Sequence, residues 1–304
     1  MTTPRVGFLG PEGSFSHEAL SSLGVHQAVA RETIGDLLAG VADGTLDLAL
    51  TPLENAIEGT VSATIDGLVF DYDLYIEREV VLPIHLHLLA RPGVSLAEVT
   101  TVWSYVHALG QCRQFLGSIA ATTSQTTSTS QAARLVAESS EPWAAVGSAL
   151  AGDLFSLVRV ASDIEDHGGN ATRFVLVGRS SIAPPSGNDR TTIVCFQDAD
   201  RPGSLYGILG RFAARDINLT KLESRPTKKG LGDYCFVIEF EGHVADDLVA
   251  DCLADLQAHL ARVKFLGSYP VEGEVAAQRR DEVVAARSHA ADWIKDLRSR
   301  VRSS

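Results

Sequence analysis

Short apolar runs separated by Gly- and Ser-containing turns organise the chain from its N-terminus to about residue 180. Arg5–Leu9 (RVGFL) ends at Gly10-Pro11 and reads as a buried strand running into a loop, with Phe15–Leu23 following as a short helix. Leu46–Pro52 is a second buried strand. Val80–Ala90 alternates with period two, which puts Ile84, Leu86 and Leu88 on one face of a third. Val99–Tyr105 predicts a strand and Ala108–Leu116 a helix. The Thr/Ser run from Thr122 to Ser130 reads as a solvated turn capping a helix over Gln131–Glu138, because hydroxyls satisfy open N–H groups at a helix start. Ala144–Gly147 and Phe174–Gly178 add short strands. Strands alternating with helices predict an α/β domain with largely parallel sheets.

The pattern changes after Ser180–Asp189 (SSIAPPSGND), which carries Pro, Ser and Gly and no apolar period, and so reads as a linker. Thr191–Phe196 is a strand. Leu205, Ile208, Leu209, Phe212 and Ala213 share one helix face. Ile217–Leu222 and Tyr234–Phe240 are strands joined through KKGLGD. Leu248, Val249, Cys252, Leu253, Leu256 and Leu260 mark a second helix, and Val263–Leu266 a last strand. The order βαββαβ is that of a ferredoxin-like α+β unit. Beyond Val271, apolar or small residues around Trp293 recur at helical spacing and predict an amphipathic terminal helix. The expected organisation is a first domain over 1–182, a linker over 183–189, a second domain over 190–270 and the helix over 271–304.

Composition narrows the function. The 304 residues carry a formal net charge of −12, which argues against a nucleic-acid partner. No apolar run is long enough to span a membrane, and the first residues lack a secretory signal pattern, so a cytoplasmic protein is expected. Cys112, Cys195, Cys235 and Cys252 form no CxxC and read as free thiols. GPEGS lacks the GK[ST] of a P-loop, and no GxGxxG is present. His85 and His87 could share a strand face as a metal pair, but no carboxylate or Cys cluster joins them in sequence, so no metal is expected.

Four polar segments fall at strand ends, where open α/β sheets bind ligands. They are Gly10–Ala19 (GPEGSFSHEA), Thr51–Gly59 (TPLENAIEG), Ser104–Cys112 (SYVHALGQC) and Asn170–Phe174 (NATRF). Each alone is accounted for by a helix cap or a turn; together they suggest one cleft. A Gly-rich turn opening a helix also suits an anion.

These segments, with STSQAA, IEDHGGNATRF and, in the second unit, INLTKLESRP, make the chain resemble the bacterial prephenate dehydratases from about residue 5 to 270. The second unit resembles the ACT-type regulatory domain. The resemblance implies a two-lobed catalytic domain like a periplasmic binding protein, an active cleft between the lobes, and loss of water and carbon dioxide from prephenate to give phenylpyruvate. It further implies L-phenylalanine as effector, homodimers or homotetramers through paired ACT domains, and no cofactor. On this basis Thr172, Arg173, Glu54 and Asn55 are the expected catalytic residues. Ser14, Ser16, Ser104, His107, Gln111, Asn170 and Phe174 are expected to bind substrate. Gly203, Ser204, Leu205, Asn218, Leu219, Glu223, Ser224, Arg225 and Pro226 are expected to bind phenylalanine.

Prephenate is a dianion with a leaving ring hydroxyl. Arg173 suits a bidentate carboxylate grip. The GPEGS turn and the helix start at Ser128–Ser130 can offer N–H groups to the other carboxylate. Thr172 is the expected donor to the departing oxygen, relaying a proton from Glu54 or His107. The chain departs from the family at Ala56, His107, Ser204 and Ser14. A non-aromatising decarboxylase, a non-catalytic binding protein and an amino-acid sensor are the competing readings; intact NATRF followed by the regulatory unit favours the dehydratase. With too few residues before position 5 to hold one, no fused mutase is expected.

Overall fold

The computed structural model describes residues 3–25, 27–179, 181–197, 201–228, 230 and 232–271, with Trp293, Asp296, Ser299 and Arg300 of the tail. The chain divides into two compact units, residues 1–75 with 79–181, and residues 182–304 with 76–78.

The first unit has two lobes. One begins with β1 (Arg5–Leu9), α1 (Phe15–Ser22), β2 (Gln27–Arg31), α2 (Ile34–Asp43), β3 (Leu48–Asn55), β4 (Gly59–Thr60), α3 (Ser62–Asp66) and β5 (Tyr75–Pro83). The chain then crosses to the other lobe, built from β6 (His87–Ala90), β7 (Thr101–Ser104), α4 (Val106–Gln111), α5 (Arg113–Gly117), β8 (Thr122–Gln125), α6 (Thr129–Glu138), β9 (Trp143–Gly147), α7 (Ala149–Leu154) and β10 (Val158–Ala161). It returns in β11 (Ala171–Gly178). The first sheet has the order β2-β1-β3-β11-β5 with β4 beside β3, and the second β10-β6-β9-β7-β8. Val6, Phe8, Leu20, Leu50 and Phe174 centre the core of the first lobe, and Leu88, Val102 and Val146 that of the second.

Both sheets are mixed, which corrects the expectation of largely parallel ones. β1 runs parallel to β2 and β3, but β11 runs antiparallel to β3. β7 runs parallel to β8 and β9, while β6 runs antiparallel to β9 and β10. A chain that leaves a lobe and comes back brings its returning strand in reversed. The expected strand Val80–Ala90 is two strands in two sheets. Pro83, which has no N–H for a ladder, ends β5, and Ile84–Leu86 form the crossover. Ile84 and Leu86 keep their burial without being strand residues. The polar run Thr122–Gln125 is an edge strand rather than a turn, so nothing selects apolar residues on it. The helix expected over Ala108–Leu116 breaks at Cys112 into α4 and α5. Burial pushes the thiols of Cys112 and Cys195 up to about 12 and that of Cys252 to about 11, so these cysteines are packing residues, not nucleophiles.

The second unit is β12 (Asp189–Phe196), α8 (Ser204–Ala213), β13 (Leu219–Pro226), β14 (Tyr234–Glu241), α9 (Asp247–His259) and β15 (Arg262–Pro270). Its sheet is antiparallel with the order β13-β14-β12-β15, over a core of Ile193, Ile208, Phe212, Ile238, Phe240 and Leu256. The βαββαβ order matches the sequence pattern, but the strand expected over Ile217–Leu222 runs on through Glu223–Pro226. The end of the expected linker is folded: the N–H groups of Ser186 and Gly187 donate to the Asp189 carboxylate, and Asp189 starts β12. The amphipathic helix expected beyond Val271 falls, apart from the four tail residues named above, outside the described residues; Trp293 is exposed.

Candidate active site

The antiparallel pair β3–β11 carries the polar residues that the sequence singles out. Thr172 lies opposite Asn55 and Arg173 opposite Glu54. Successive strand residues point to opposite sheet faces, so Thr172 with Asn55 and Arg173 with Glu54 occupy different faces. The ladder shifts only after Arg173.

On the Thr172 face the groups are amides and a hydroxyl. Asn55 Nδ2 donates to Thr172 Oγ1 at 2.9 Å and to Asn170 Oδ1 at 3.0 Å, and Asn55 Oδ1 accepts the N–H groups of Ile57 and Glu58 at 2.9 and 3.0 Å. Asn170, itself buried, donates through Nδ2 to Gln111 Oε1 at 3.2 Å, and Gln111 Nε2 reaches Glu58 Oε1 at 3.5 Å. His107 Nδ1 stands 3.1 Å from the same oxygen of Glu58. Gln111 and His107 belong to α4 of one lobe, Glu58 and Asn55 to the other, so the polar chain bridges the cleft. Because Thr172 Oγ1 accepts from Asn55, its own proton is available to a ligand. A cavity of about 330 Å³ opens beside the chain, with Glu58, His107, Gln111, Arg113, Asp166 and His167 in its wall. Sequence reasoning passed over Glu58. Its only signal was its place in TPLENAIEG, and spacing cannot show that it meets α4.

On the other face Arg173 is committed. Its Nη2 donates to Glu54 at 2.9 Å and its Nη1 to Glu79 at 3.4 Å, and Glu79 is only 2% exposed. A buried carboxylate needs such a cation. In this structure Arg173 is an ion-paired guanidinium rather than an open fork. Glu54 is correspondingly a salt-bridged carboxylate on the face of the sheet away from Thr172. Glu79, the second partner, was invisible in an unremarkable strand sequence.

Several expected substrate residues are engaged within the fold. Ser104 is fully buried and its hydroxyl donates to Val146 O at 2.7 Å. Phe174 is in the hydrophobic core. Ser14 caps α1, accepting from the His17 N–H at 3.3 Å and donating to Leu9 O at 2.8 Å. Ser16 is buried within the first turn of α1. Two N–H groups of the GPEGS turn are already engaged: Gly13 N–H donates to His17 Nδ1 and Ser14 N–H to Pro11 O. Its carbonyls instead accept the hydroxyls of Ser130 (on Glu12 O) and Ser148 (on Gly13 O) from the other lobe. Gly13 has φ +80°, and a Cβ there would lie 2.9 Å from Ser130 Oγ, so this clamp needs glycine. Ser128 caps α6 by accepting the Gln131 N–H. His107 caps nothing; Tyr105 is the N-cap of α4.

The two crossovers carry a further cluster. His85 Nδ1 lies 3.0 Å from Glu165 Oε1 and 3.5 Å from Asp163 Oδ1, which corrects the expectation that no carboxylate joins the His pair. His85, Asp163 and Glu165 form a group of donors that could hold a metal among the described residues. His87 is buried apart from His85, not on a shared strand face, and that burial pushes its imidazole down. Burial acts to raise the Glu165 carboxyl, but hydrogen bonds from the N–H groups of Leu86 and Glu165 and from His85 outweigh it and hold it below the usual range. Glu18 in α1 shows the opposite balance. Burial raises its carboxyl, against opposing effects of His85 and Ser148, and Oε2 has no hydrogen-bond partner.

In the second unit Gly203 is the N-cap of α8 at φ +86°, and Ser204 Oγ donates to Arg201 O at 2.8 Å. Asn218 donates to Glu241 at 2.8 Å. Along β13, an edge strand, Leu219, Lys221, Glu223 and Arg225 alternate with exposed Leu222, Ser224 and Pro226, and Glu223 lies 3.4 Å from Arg225.

The prephenate dehydratase family model matches residues 6–182 and the ACT domain model residues 191–258. The prephenate dehydratase of Mycolicibacterium vanbaalenii is 36% identical over 314 residues, covering 97% of this chain and 98% of its own. Among solved structures, the prephenate dehydratase of Arthrobacter aurescens in complex with L-Phe superposes with a TM-score of 0.83 at 35% identity, over 96% of this chain and 99% of that one. A quorum-quenching acylase, GqqA, superposes with a TM-score of 0.81 at 28% identity, over 88% of this chain and 98% of its own.

Proposed function

The chain belongs to the prephenate dehydratase family, and from that premise we propose that the Thr172 hydroxyl, held by Asn55, serves the departing oxygen of prephenate. The reaction is that of a hydro-lyase with an ACT domain: prephenate loses water and carbon dioxide to give phenylpyruvate. The electron pair of the breaking C–C bond to the ring carboxylate enters the ring, and the C–O bond opposite it breaks. Negative charge grows on the leaving oxygen, and a donor already aimed there lowers the barrier without reorganising. The Thr172 proton is free for this because Oγ1 accepts from Asn55. Thr172 acts as a hydrogen-bond donor to the departing hydroxide, which takes its second proton from solvent and leaves as water; the hydroxide equivalent so left in solution is neutralised by buffer or by the released carbon dioxide as bicarbonate.

The single observation that carries this reading is the Asn55–Thr172 hydrogen bond beside a cleft-spanning polar chain. Asn170 and Gln111 orient Asn55, while Arg173 and Glu54 hold the strand pair from its other face. The catalytic domain extends over 1–182 and the regulatory domain over 190–270. L-Phenylalanine is the effector, bound around Gly203–Leu205, Asn218-Leu219 and Glu223–Pro226. Exposed Tyr206, Leu222 and Tyr234 support association of second units into a homodimer or homotetramer. No helix among the described residues is long and apolar enough to cross a membrane, and the free buried cysteines fit the reducing cytoplasm. The test is to incubate the purified protein with prephenate, with and without L-phenylalanine, and identify the product. Phenylpyruvate, formed more slowly with the effector, is expected; a dihydroaromatic keto acid would overturn the reading.

A further inference from the structure

His243 is 3% exposed, in the turn between β14 and α9, and takes no part in the proposed chemistry. Two strands pin that turn. Gly242 N–H donates to Asp189 O and Gly242 O accepts from Thr191 Oγ1, both on β12, while Val244 N–H donates to Ser268 Oγ on β15. The His243 N–H donates to Asp246 Oδ2 at 2.7 Å. Only one placement of the ring hydrogen satisfies both neighbours of the imidazole. Nδ1 lies 3.0 Å from the Ala245 N–H and accepts it, so Nδ1 carries no hydrogen. Nε2 then holds the hydrogen and donates it to Ala183 O at 2.8 Å, a carbonyl that can only accept.

Ala183 belongs to the segment that leaves β11, the strand of Thr172 and Arg173, and enters the second unit at β12. Arg179, the residue after β11, is fixed to the first unit: its Nη1 donates to Val41 O at 2.6 Å and to Leu46 O at 3.1 Å. From Arg179 to Ala183 is four residue steps, a reach of at most about 14 Å. If His243 released Ala183, the next fixed point beyond it would be Ser186, whose N–H and hydroxyl bond Asp189. That connection has seven steps and a reach of about 24 Å. A short, fixed connection passes a displacement to the strand it continues, and a slack one absorbs it.

We propose that His243 is a positioning residue for regulation: it clasps the connecting segment to the second unit at Ala183, and the short connection carries the effector's signal to β11. The inference rests on L-phenylalanine as effector.

The experiment compares His243→Asn and His243→Gln with wild type, all as the full-length protein. The shorter Asn amide can meet the Ala245 N–H as Nδ1 does but falls short of Ala183, so the clasp is lost. The longer Gln amide places its nitrogen near the position of Nε2, so the clasp stays. Three quantities are read: cleavage by proteinase K within residues 180–186, assigned by fragment mass; L-phenylalanine binding by equilibrium dialysis; and turnover of prephenate with and without saturating L-phenylalanine. In His243→Asn the segment is cut at least about fivefold faster than in wild type, because the released population governs cleavage. Its L-phenylalanine binding and its uninhibited turnover stay within about twofold of wild type, since His243 lies outside both sets of site residues. Saturating L-phenylalanine slows wild type by on the order of tenfold and His243→Asn by less than about twofold. His243→Gln matches wild type in all three. Cleavage of His243→Asn at the wild-type rate would overturn the clasp, and its full inhibition would overturn the transmission. Loss of inhibition in His243→Gln as in His243→Asn would overturn the donor role of Nε2. Wild type that L-phenylalanine does not slow sinks the effector reading and this one with it, whereas an inhibited wild type beside an equally inhibited His243→Asn sinks only this one.

Discussion

The two faces of the β3–β11 pair hold neighbouring residues to opposite uses. On one face Arg173 is 12% exposed on its side chain and bonds two carboxylates, one of them almost fully buried. On the other, Thr172 is held by a neutral amide and lies at the end of a chain that reaches solvent through Glu58 and His107. Full charges, once desolvated, are costly to disturb and so suit a fixed support. Neutral donors can be aimed at a charge that appears only during reaction, when the surrounding dielectric makes them strongest. On the proposed reading, adjacent residues of NATRF divide support from chemistry, and the alternation of the strand keeps the two on different faces.

Removing the support is the harshest way to break this contrast. Arg173→Ala removes a cation from the buried Glu79 and should cost about 3–5 kcal/mol of stability, read by denaturant unfolding. Any loss of turnover should follow the loss of folded protein. If the variant is as stable as wild type but cannot bind prephenate, Arg173 grips substrate after all.

Thr172→Ala should do the converse. It lowers kcat by about 100-fold, equivalent to about 2.7 kcal/mol, with stability unchanged. The check is steady-state turnover beside a thermal melt of the same preparation; a destabilised but kinetically normal variant would reverse the assignment of the two faces.

Glu18 sharpens the comparison, because its carboxyl is partly buried without an arginine such as Glu79 has. Its pKa is raised, chiefly by burial. The folded protein then holds the proton more tightly than the unfolded chain, so this contribution to stability is complete below the ordinary carboxylate value and is lost as pH rises through the raised one. Glu18→Gln should remove that fall. Denaturation of both proteins between pH 4 and 8 should show wild type losing stability relative to the variant as pH rises, and parallel curves would deny the effect.

His107→Gln should change least. An amide donates to Glu58 as an imidazole does, so turnover across pH should stay within about twofold of wild type. A pH limb present in wild type and absent from the variant would put His107 on the substrate instead.

The sequence carried the fold class, the βαββαβ unit and the strand-end positions of Asn55 and Thr172, because apolar period and turn residues are local signals. It did not carry the mixed sheets or β8, whose edge position allows a Thr/Ser sequence. It assigned Thr172 as donor and Arg173 as carboxylate grip, but it could not show that β3 and β5 set Glu54 and Glu79 against Arg173. Ser104 and Phe174 stand beside the proposed site residues in their motifs and are buried. Glu58 and Glu79 lacked any local mark, because their partners lie on α4 and β11, far away in the chain.

The central claim is that a hydroxyl at residue 172, held by Asn55, speeds departure of the oxygen. Its most direct measurement is kcat at saturating prephenate for Thr172→Ser and Thr172→Val. The first keeps the hydroxyl and the second keeps only the shape. Thr172→Ser should retain turnover to within about tenfold, and Thr172→Val should lose about 100-fold with an unchanged thermal midpoint. Equal turnover by the two variants would contradict the account.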